Sequence, residues 1–262
     1  MTLEEKTEKY ESVRREYQEK VQGRMSETEL LRLNEALLSA HSCAIEGNSF
    51  TVDDTRALME LDLGMTMPAG KKVYELLEMR DHLRAYEYVA ANLQCPLDET
   101  FLKEVNRLVT EHTLSYNAPD AVPGEYTTVD MAAGDTIFGR HEELVARVPQ
   151  LLEKTEQAIQ GETHPMIVAS RFHGYFEYLH PFRDGNGRTG RLISNYILMR
   201  TGHPQLVIRL EERQQYISAL KQIHKEGTDE YLTNFFFDCA IAHMQEDIRQ
   251  KKSNSNPKMF LF

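Results

Sequence analysis

Apolar residues recur at spacings of three and four along most of this chain, the period of helices that bury one face. The clearest case is Pro165–Leu179, where Ile167, Val168, Phe172, Tyr175, Phe176 and Leu179 repeat in that rhythm. Its opening proline suits a first helical turn, and Pro181 ends it. A second helix follows over Arg188–Arg200, with Leu192, Ile193, Tyr196, Ile197 and Met199 as its buried face and Gly202 and Pro204 as its stop. The same reasoning predicts a helix from about Glu27 through Leu30–Ala44 to Ile45, and others over Val52–Leu61 and Lys71–Asn92. A further helix, capped by Asp98, runs to about His112, and His141–Gln160, Glu212–Glu226 and Thr228–Lys251 complete the set. Residues 2–22 are so densely charged that they read as a surface helix. Residues 123–138 are the main departure: Tyr126-Thr127-Thr128-Val129 and Thr136-Ile137-Phe138 have strand character and flank Ala132-Ala133-Gly134-Asp135. The expectation is a mainly α fold with a central helix–loop–helix and a small β-hairpin turning near Gly134.

Length and charge narrow the function classes. At 262 residues, one domain over 30–245 is expected, with a charged helical extension over 1–29 and a tail over 246–262 whose end is apolar. The net charge of −11 argues against nucleic acid as the main partner. The cysteines Cys43, Cys95 and Cys239 are scattered and odd in number, which disfavours a disulfide scaffold and points to a reducing cytoplasm. No apolar run approaches the length of a membrane span, and the N-terminus is polar rather than signal-like.

Candidate chemistry concentrates in His180-Pro181-Phe182-Arg183-Asp184-Gly185-Asn186-Gly187-Arg188-Thr189-Gly190-Arg191, between the two central helices. The loop delivers unpaired backbone N–H groups to a helix start, where the macrodipole favours an anion. Gly185 and Gly187 let a ligand approach the backbone closely. Arg188 and Arg191 lie three apart on one helical face, and guanidinium groups suit phosphate oxygens. Asp184 is a hard oxygen ligand of the kind that holds Mg²⁺ jointly with phosphates, and His180 can take a proton near neutral pH. The set describes a site that binds a nucleoside polyphosphate and deprotonates a nucleophile. Any one of these residues alone would be read more simply, as a turn, a cap or a solvated face.

The run matches all the fixed positions of H-x-F-x-[DE]-G-N-G-R-x-x-R. At average residue usage a chance match has a probability on the order of 10⁻¹⁰ per start position. It therefore resembles the signature of the Fic (filamentation induced by cAMP) family. That resemblance implies a Fic-type helical bundle and transfer of AMP from ATP to a Ser, Thr or Tyr hydroxyl of a target protein, with pyrophosphate released. By position, His180 would be the base, and Asp184 would hold Mg²⁺ bridging the α- and β-phosphates. Asp184, Gly185, Asn186, Gly187, Arg188, Thr189, Gly190 and Arg191 would form the nucleotide-binding stretch, with Arg191 on the γ-phosphate. Phe182 would anchor the loop.

The resemblance extends to three further places. Ser42-Cys43-Ala44-Ile45-Glu46-Gly47-Asn48 fits [ST]-x-x-x-E-[GN], the inhibitory motif of autoinhibited Fic proteins. Glu46 falls at a helix end, badly placed for that helix's own dipole, with Gly47 as a C-cap candidate. The family implies that Glu46 pairs with Arg191 and obstructs the γ-phosphate, with Ser42 in the same motif; a solvated helix-end glutamate is the plainer reading. The hairpin would be a flap that aligns the target by strand addition, with Ala133, Gly134, Asp135 and Thr136 over ATP. Thr127 stands where arginine often follows G-x-[FY], so the target is not readable from the flap. Tyr216 falls where relatives place an aromatic beside adenine, though a core tyrosine fits equally, and His224 lies near a polar adenine contact. Removal of AMP, another nucleotide co-substrate, a nucleotide-sensing interaction module, self-modification and a homodimer all remain compatible with these residues.

Overall fold

In the computed structural model, which describes residues 1–60, 70–133 and 136–253, helices succeed one another with short connections. They are α1 (Leu3–Lys20), α2 (Glu27–Ile45), α3 (Val52–Glu60), α4 (Val73–Ala91), α5 (Glu99–Thr110), α6 (Leu114–Asn117), α7 (Leu144–Gln160), α8 (Pro165–Leu179), α9 (Asn186–Arg200), α10 (Arg213–Glu226) and α11 (Glu230–Ser253). The starts follow local chemistry. Thr2 and Ser26 close capping boxes with Glu5 and Glu29, Asp98 accepts from the Phe101 N–H, and Pro165 opens α8. α6 was not expected from the sequence. The end of the Val52–Leu61 prediction and residues 254–262 of the predicted tail lie outside the described residues, whereas 246–253 continue α11. Among the described residues, no helix is long and apolar enough to cross a membrane.

α9 is the centre. Every residue from Arg188 to Leu198 is buried, which no other arrangement of its polar side chains would tolerate unless each had a partner. Asn195 spans α9 and the following connection, donating to the Leu206 carbonyl at 3.0 Å and accepting from the Leu206 N–H at 2.8 Å. Gly190 lets α8 come close, since a Cβ there would stand 2.6 Å from His173 Nδ1. Around this pair of helices, Phe172, Phe176, Ile193, Tyr196, Ile197, Phe236 and Phe237 form one continuous apolar core.

The strand-like stretch divides differently from expectation. β1 (Ala132–Ala133) and β2 (Thr136–Ile137) form the hairpin, antiparallel, with Ala132 opposite Ile137 and Ala133 opposite Thr136. The earlier arm pairs with the motif loop instead: Tyr126 bridges Phe182, and the Thr127 N–H donates to the Pro181 carbonyl at 2.8 Å. That loop carries free backbone groups where the chain leaves α8, and they take up the arm's hydrogen bonds.

α1 is more than a surface helix. Its Lys6, Tyr10 and Val13 are buried against α11. Tyr10 is fully buried, meets Phe237 edge-on at 5.6 Å and shares a 3.1 Å hydrogen bond with His203 Nδ1. High charge on three sides of a helix leaves a fourth free to pack, and one aromatic suffices. Tyr10→Ala is therefore expected to destabilise the protein by about 3–5 kcal/mol in urea unfolding; a loss below about 1 kcal/mol would make α1 an appendage.

Candidate active site

The end of α2, the start of α4, α6 and the turn between α8 and α9 enclose a cavity of ≈ 380 Å³. Glu46, Tyr74, Glu78, Asn117, His180, Asp184, Gly187 and Arg188 are among its lining residues. The sequence motif thus forms one wall, and residues distant in the chain form the rest.

His180 terminates α8 in the left-handed region, at φ 49° and ψ 57°. It is the sole non-glycine with positive φ among the described residues. Such a conformation costs roughly 1–3 kcal/mol and persists only where its surroundings fix it. Those surroundings are specific. Phe182 is buried, and both of its backbone groups are held by Asn186: the N–H by Oδ1 at 3.0 Å and the carbonyl by Nδ2 at 2.7 Å. Asn106 of α5 donates to the Asp184 carbonyl at 3.1 Å and to Thr189 Oγ1 at 3.2 Å, and accepts from the Gly124 N–H at 3.2 Å. One amide thereby ties the motif turn, α9 and the base of the flap arm together. The sequence did contain a signal for it: Asn106 falls on the apolar face of α5, between Leu102 and Val109.

The His180 ring stacks on Phe138 with centroids 3.9 Å apart and planes 12° from parallel. Burial drives its pKa down to about 4, so the imidazole is a free base at neutral pH. Its Nδ1 lies 3.8 Å from Glu177 Oε2, and burial pushes that carboxyl up to about 8. A buried acid that keeps its proton beside a buried base that sheds its own leaves the pair uncharged.

Asp184 is held in place by three donors. Oδ1 accepts from the Gly185 N–H at 2.6 Å and from Arg188 at 3.1 Å, and Oδ2 accepts from Asn117 Nδ2 at 2.8 Å. Asn117 also donates to the Tyr74 hydroxyl at 3.1 Å. Gly185, at φ 76°, stands at the N-cap of α9, and no side chain caps that helix start. α9 begins at Asn186, two residues earlier than expected, so Gly187 and Arg188 lie in its first turn and Thr189 and Gly190 face inward. Thr189 is fully buried against Asn106 and Gly190 against His173. Both support the cradle from behind and are not among the residues lining the cavity.

The two arginines are buried, and carboxylates hold both. Arg188 meets Glu78 Oε1 at 2.7 Å, and the other Glu78 oxygen accepts from Asn48 at 2.7 Å. Burial raises the Glu78 pKa against the opposing pull of Arg188. Arg191 donates to Glu46 Oε1 at 2.8 Å, to Ser42 Oγ and the Ser42 carbonyl at 2.9 Å each, and to the Tyr216 hydroxyl at 3.3 Å. Burial opposes ionisation of Glu46, but the Arg191 charge outweighs it and holds the carboxyl below its usual range. A Cβ on Gly187 would stand 2.4 Å from Glu46 Oε1, so the carboxylate lies directly on the first turn of α9. Glu46 is positioned by the Schellman end of α2: the Asn48 N–H bonds the Cys43 carbonyl at 3.1 Å and the Gly47 N–H bonds Ala44 at 3.0 Å, with Gly47 at φ 105°.

The remaining expected residues divide. Tyr216 is buried with its hydroxyl 2.6 Å from His173 Nε2, so it supports Arg191 from behind and does not line this cavity as an adenine platform. His224 is half-buried, edge-on to Phe138 at 5.6 Å and against Tyr178 at 5.0 Å. The backbone of Ala133 and Thr136 forms the hairpin, and Thr136 is not among the residues lining the cavity; Gly134 and Asp135 lie outside the described residues.

The lowered His180 pKa has a measurable consequence. The unfolded chain accepts that proton near 6.5 and the folded one near 4, so acid removes stability as the pH falls between them. Ring NMR shifts, assigned with His180→Ala, are expected to show a neutral imidazole at about pH 6. A midpoint at the ordinary histidine value would contradict the buried free base.

Comparison with known proteins bears on the family and the fold. Residues 96–198 match the Fic/DOC family. The protein adenylyltransferase Fic of Nematostella vectensis is 34% identical over 191 residues, covering 70% of this chain and 42% of that protein. A solved fragment of Fic-1 from C. elegans superposes with a TM-score of 0.75 at 25% identity, over 95% of this chain and 74% of that one. A Fic-domain-containing signalling protein of Bacteroides thetaiotaomicron shares the fold, with a TM-score of 0.78 at 23% identity over 94% of this chain and 98% of that one. The chain spans about two fifths of the length of the curated relatives it matches. With an unbroken motif on the α8–α9 turn and these relatives across most of its length, the chain belongs to the Fic/DOC family.

Proposed function

We propose that this protein transfers AMP from ATP to a Ser, Thr or Tyr hydroxyl of a target protein, and that Glu46 restrains the reaction. The observation that carries this reading is the Glu46–Arg191 pair lying across Gly187, in the same cavity as His180 and Asp184. An ionised carboxylate already rests where the helix start and a guanidinium would take a phosphate. The names of the curated relatives support the choice of AMP as the group moved.

His180 takes the proton of the target hydroxyl as its oxygen attacks the α-phosphorus, and pyrophosphate leaves. The ring begins neutral, and the Phe138 stack fixes its plane. The uncapped start of α9 and Arg188 hold phosphate oxygens, and Arg191 meets the γ-phosphate once Glu46 withdraws. Asp184 fits Mg²⁺ through the hard oxygens of an exposed-edge carboxylate that Asn117 and Gly185 already orient. When bound, that ion would neutralise charge on the α- and β-phosphates. The flap presents the target hydroxyl by pairing with an extended segment. The cysteines Cys43, Cys95 and Cys239 are all free, which favours a reducing cytoplasm. A second reading, hydrolysis of AMP from a modified protein, has one observation in its favour: the Glu46 side chain keeps 39% exposure toward the cavity, where a carboxylate could orient water.

Transfer of label from α-labelled ATP with Mg²⁺ tests the first reading, scored on a cell lysate and on the protein itself. A charged hydrogen bond worth about 1.5–3 kcal/mol predicts a gain of roughly 10–100-fold for Glu46→Gly over wild type. His180→Ala in the same background is expected to return labelling to baseline. Equal labelling in all three variants, or none in any folded variant, would refute the proposal.

A further inference from the structure

Away from this cavity, Glu212, Cys239 and His243 converge where the turn before α10 meets α11. Cys239 and His243 are four apart on α11, so they project from one face of the helix. Cys239 Sγ lies 3.2 Å from Glu212 Oε2 and 3.8 Å from His243 Nε2, and His243 Nε2 lies 2.8 Å from Glu212 Oε1. Ligands placed tetrahedrally about a zinc ion at ~2.0–2.3 Å stand ~3.3–3.8 Å apart. The Sγ–Nε2 separation already falls in that range; Glu212 meets the thiol through Oε2 and the imidazole through Oε1, so a small turn of one carboxylate oxygen between them completes the set.

We infer that Cys239, His243 and Glu212 form a binding site for a zinc-class divalent cation, with one coordination position left for water or a further ligand. A thiolate, an imidazole and a carboxylate are the donor set that such an ion prefers over Mg²⁺. On binding, the Cys239 thiol proton passes to solvent as H⁺, and His243 offers its Nε2 lone pair with the ring proton carried on Nδ1.

Two comparisons within the molecule favour this cluster. Glu11, His164 and His203 also gather, but Arg14 binds Glu11 at 2.7 Å and His164 Nδ1 is occupied by the Met166 N–H. Asp81, Glu111 and His112 gather as well, but Arg84 and Arg107 both pair with Glu111. At Cys239 the nearby guanidinium, that of Arg209, is turned to Glu246 at 2.8 Å, so no cation competes for the three donors, and the Arg209 backbone N–H at 2.8 Å orients Glu212 Oε2 while leaving it a second lone pair. A nucleophilic triad is a poor description of the same atoms. Cys239 Sγ lies nearer to Glu212, at 3.2 Å, than to either nitrogen of His243, at 3.8 and 4.0 Å, so the imidazole is not the thiol's main partner, and the thiol is buried with its pKa raised. The ion would fasten α11 to the turn that precedes α10. From that turn, the Leu210 N–H reaches His41 of α2, and the neighbouring Arg213 donates to the Ile45 carbonyl at 2.7 Å, one residue before Glu46.

The test titrates Co²⁺ into chelator-treated, full-length protein. Wild type is expected to show a thiolate-to-cobalt charge-transfer band that saturates at ~1 equivalent and is displaced by Zn²⁺. The band should vanish in Cys239→Ser, weaken at least tenfold in apparent affinity in His243→Ala by loss of a ligand (~1.4 kcal/mol or more), and persist in Cys95→Ser. Cobalt bound at Asp184 gives no such band, because that site has no sulfur. X-ray absorption of Zn²⁺-loaded wild type avoids any folding defect in the variants and should resolve a single sulfur at ~2.3 Å with nitrogen and oxygen at ~2.0 Å. Absence of the band in wild type, its survival in Cys239→Ser, or a zinc shell without sulfur would overturn the assignment.

Discussion

Two guanidinium groups are buried in the first turns of α9, and the rest of the site is organised by the need to keep them paired. Arg188 and Arg191 are 2% and 3% exposed, so neither can rely on water. An unpartnered buried charge costs several kcal/mol, and the positive end of α9 raises the demand for anions further. Glu78, Asp184 and Glu46 meet that demand from three directions, and each comes from a different part of the fold. A polyphosphate has the charge and the oxygen geometry to take over the same contacts. The three carboxylates thus hold the arginines as phosphate oxygens would.

The opposite logic governs His180. Here the surroundings remove charge instead of supplying it. Phe138 covers one face of the ring, Glu177 is buried close to Nδ1, and both titrating groups sit in their neutral forms near neutral pH. The strained backbone at His180 is what allows this division, because it turns the chain sharply between a cationic helix start and an apolar pocket. Phe182, clamped through Asn186, keeps that turn from relaxing.

The turn and its chemistry were legible in the sequence because they are local. Twelve consecutive residues carry His180, Asp184 and both arginines, and the flanking helices follow from a 3.6-residue period and two prolines. What the period could not place was partnership across the fold. Glu78 and Asn117 are unremarkable residues in sequence, and only packing brings them to Arg188 and Asp184. The sequence leaves Tyr216 open between an adenine contact and a core tyrosine, and packing buries it against His173, behind Arg191. Thr189 and Gly190 belong to the motif by position, yet the start of α9 at Asn186 turns them inward. In α1, abundant charge hid the single aromatic that docks the helix. Glu46 is the intermediate case: its helix-end position marked it as electrostatically unfavourable, which is a local inference, while the identity of its partner required the family resemblance.

The Glu46–Arg191 pair is asymmetric, and that asymmetry decides how it can be opened. Arg191 is held by four hydrogen bonds, three of them to Ser42 and Tyr216. Losing Glu46 therefore leaves the guanidinium oriented and still partly satisfied, so the cost is well below that of orphaning a buried charge. Glu46 has the reverse situation. Its side chain is 39% exposed, and it regains water when it leaves. Withdrawal of the carboxylate consequently costs mainly the charge–charge contact itself. Arg191 is thus the fixed member of the pair, and Glu46, at the Schellman end of α2, is the less firmly held one.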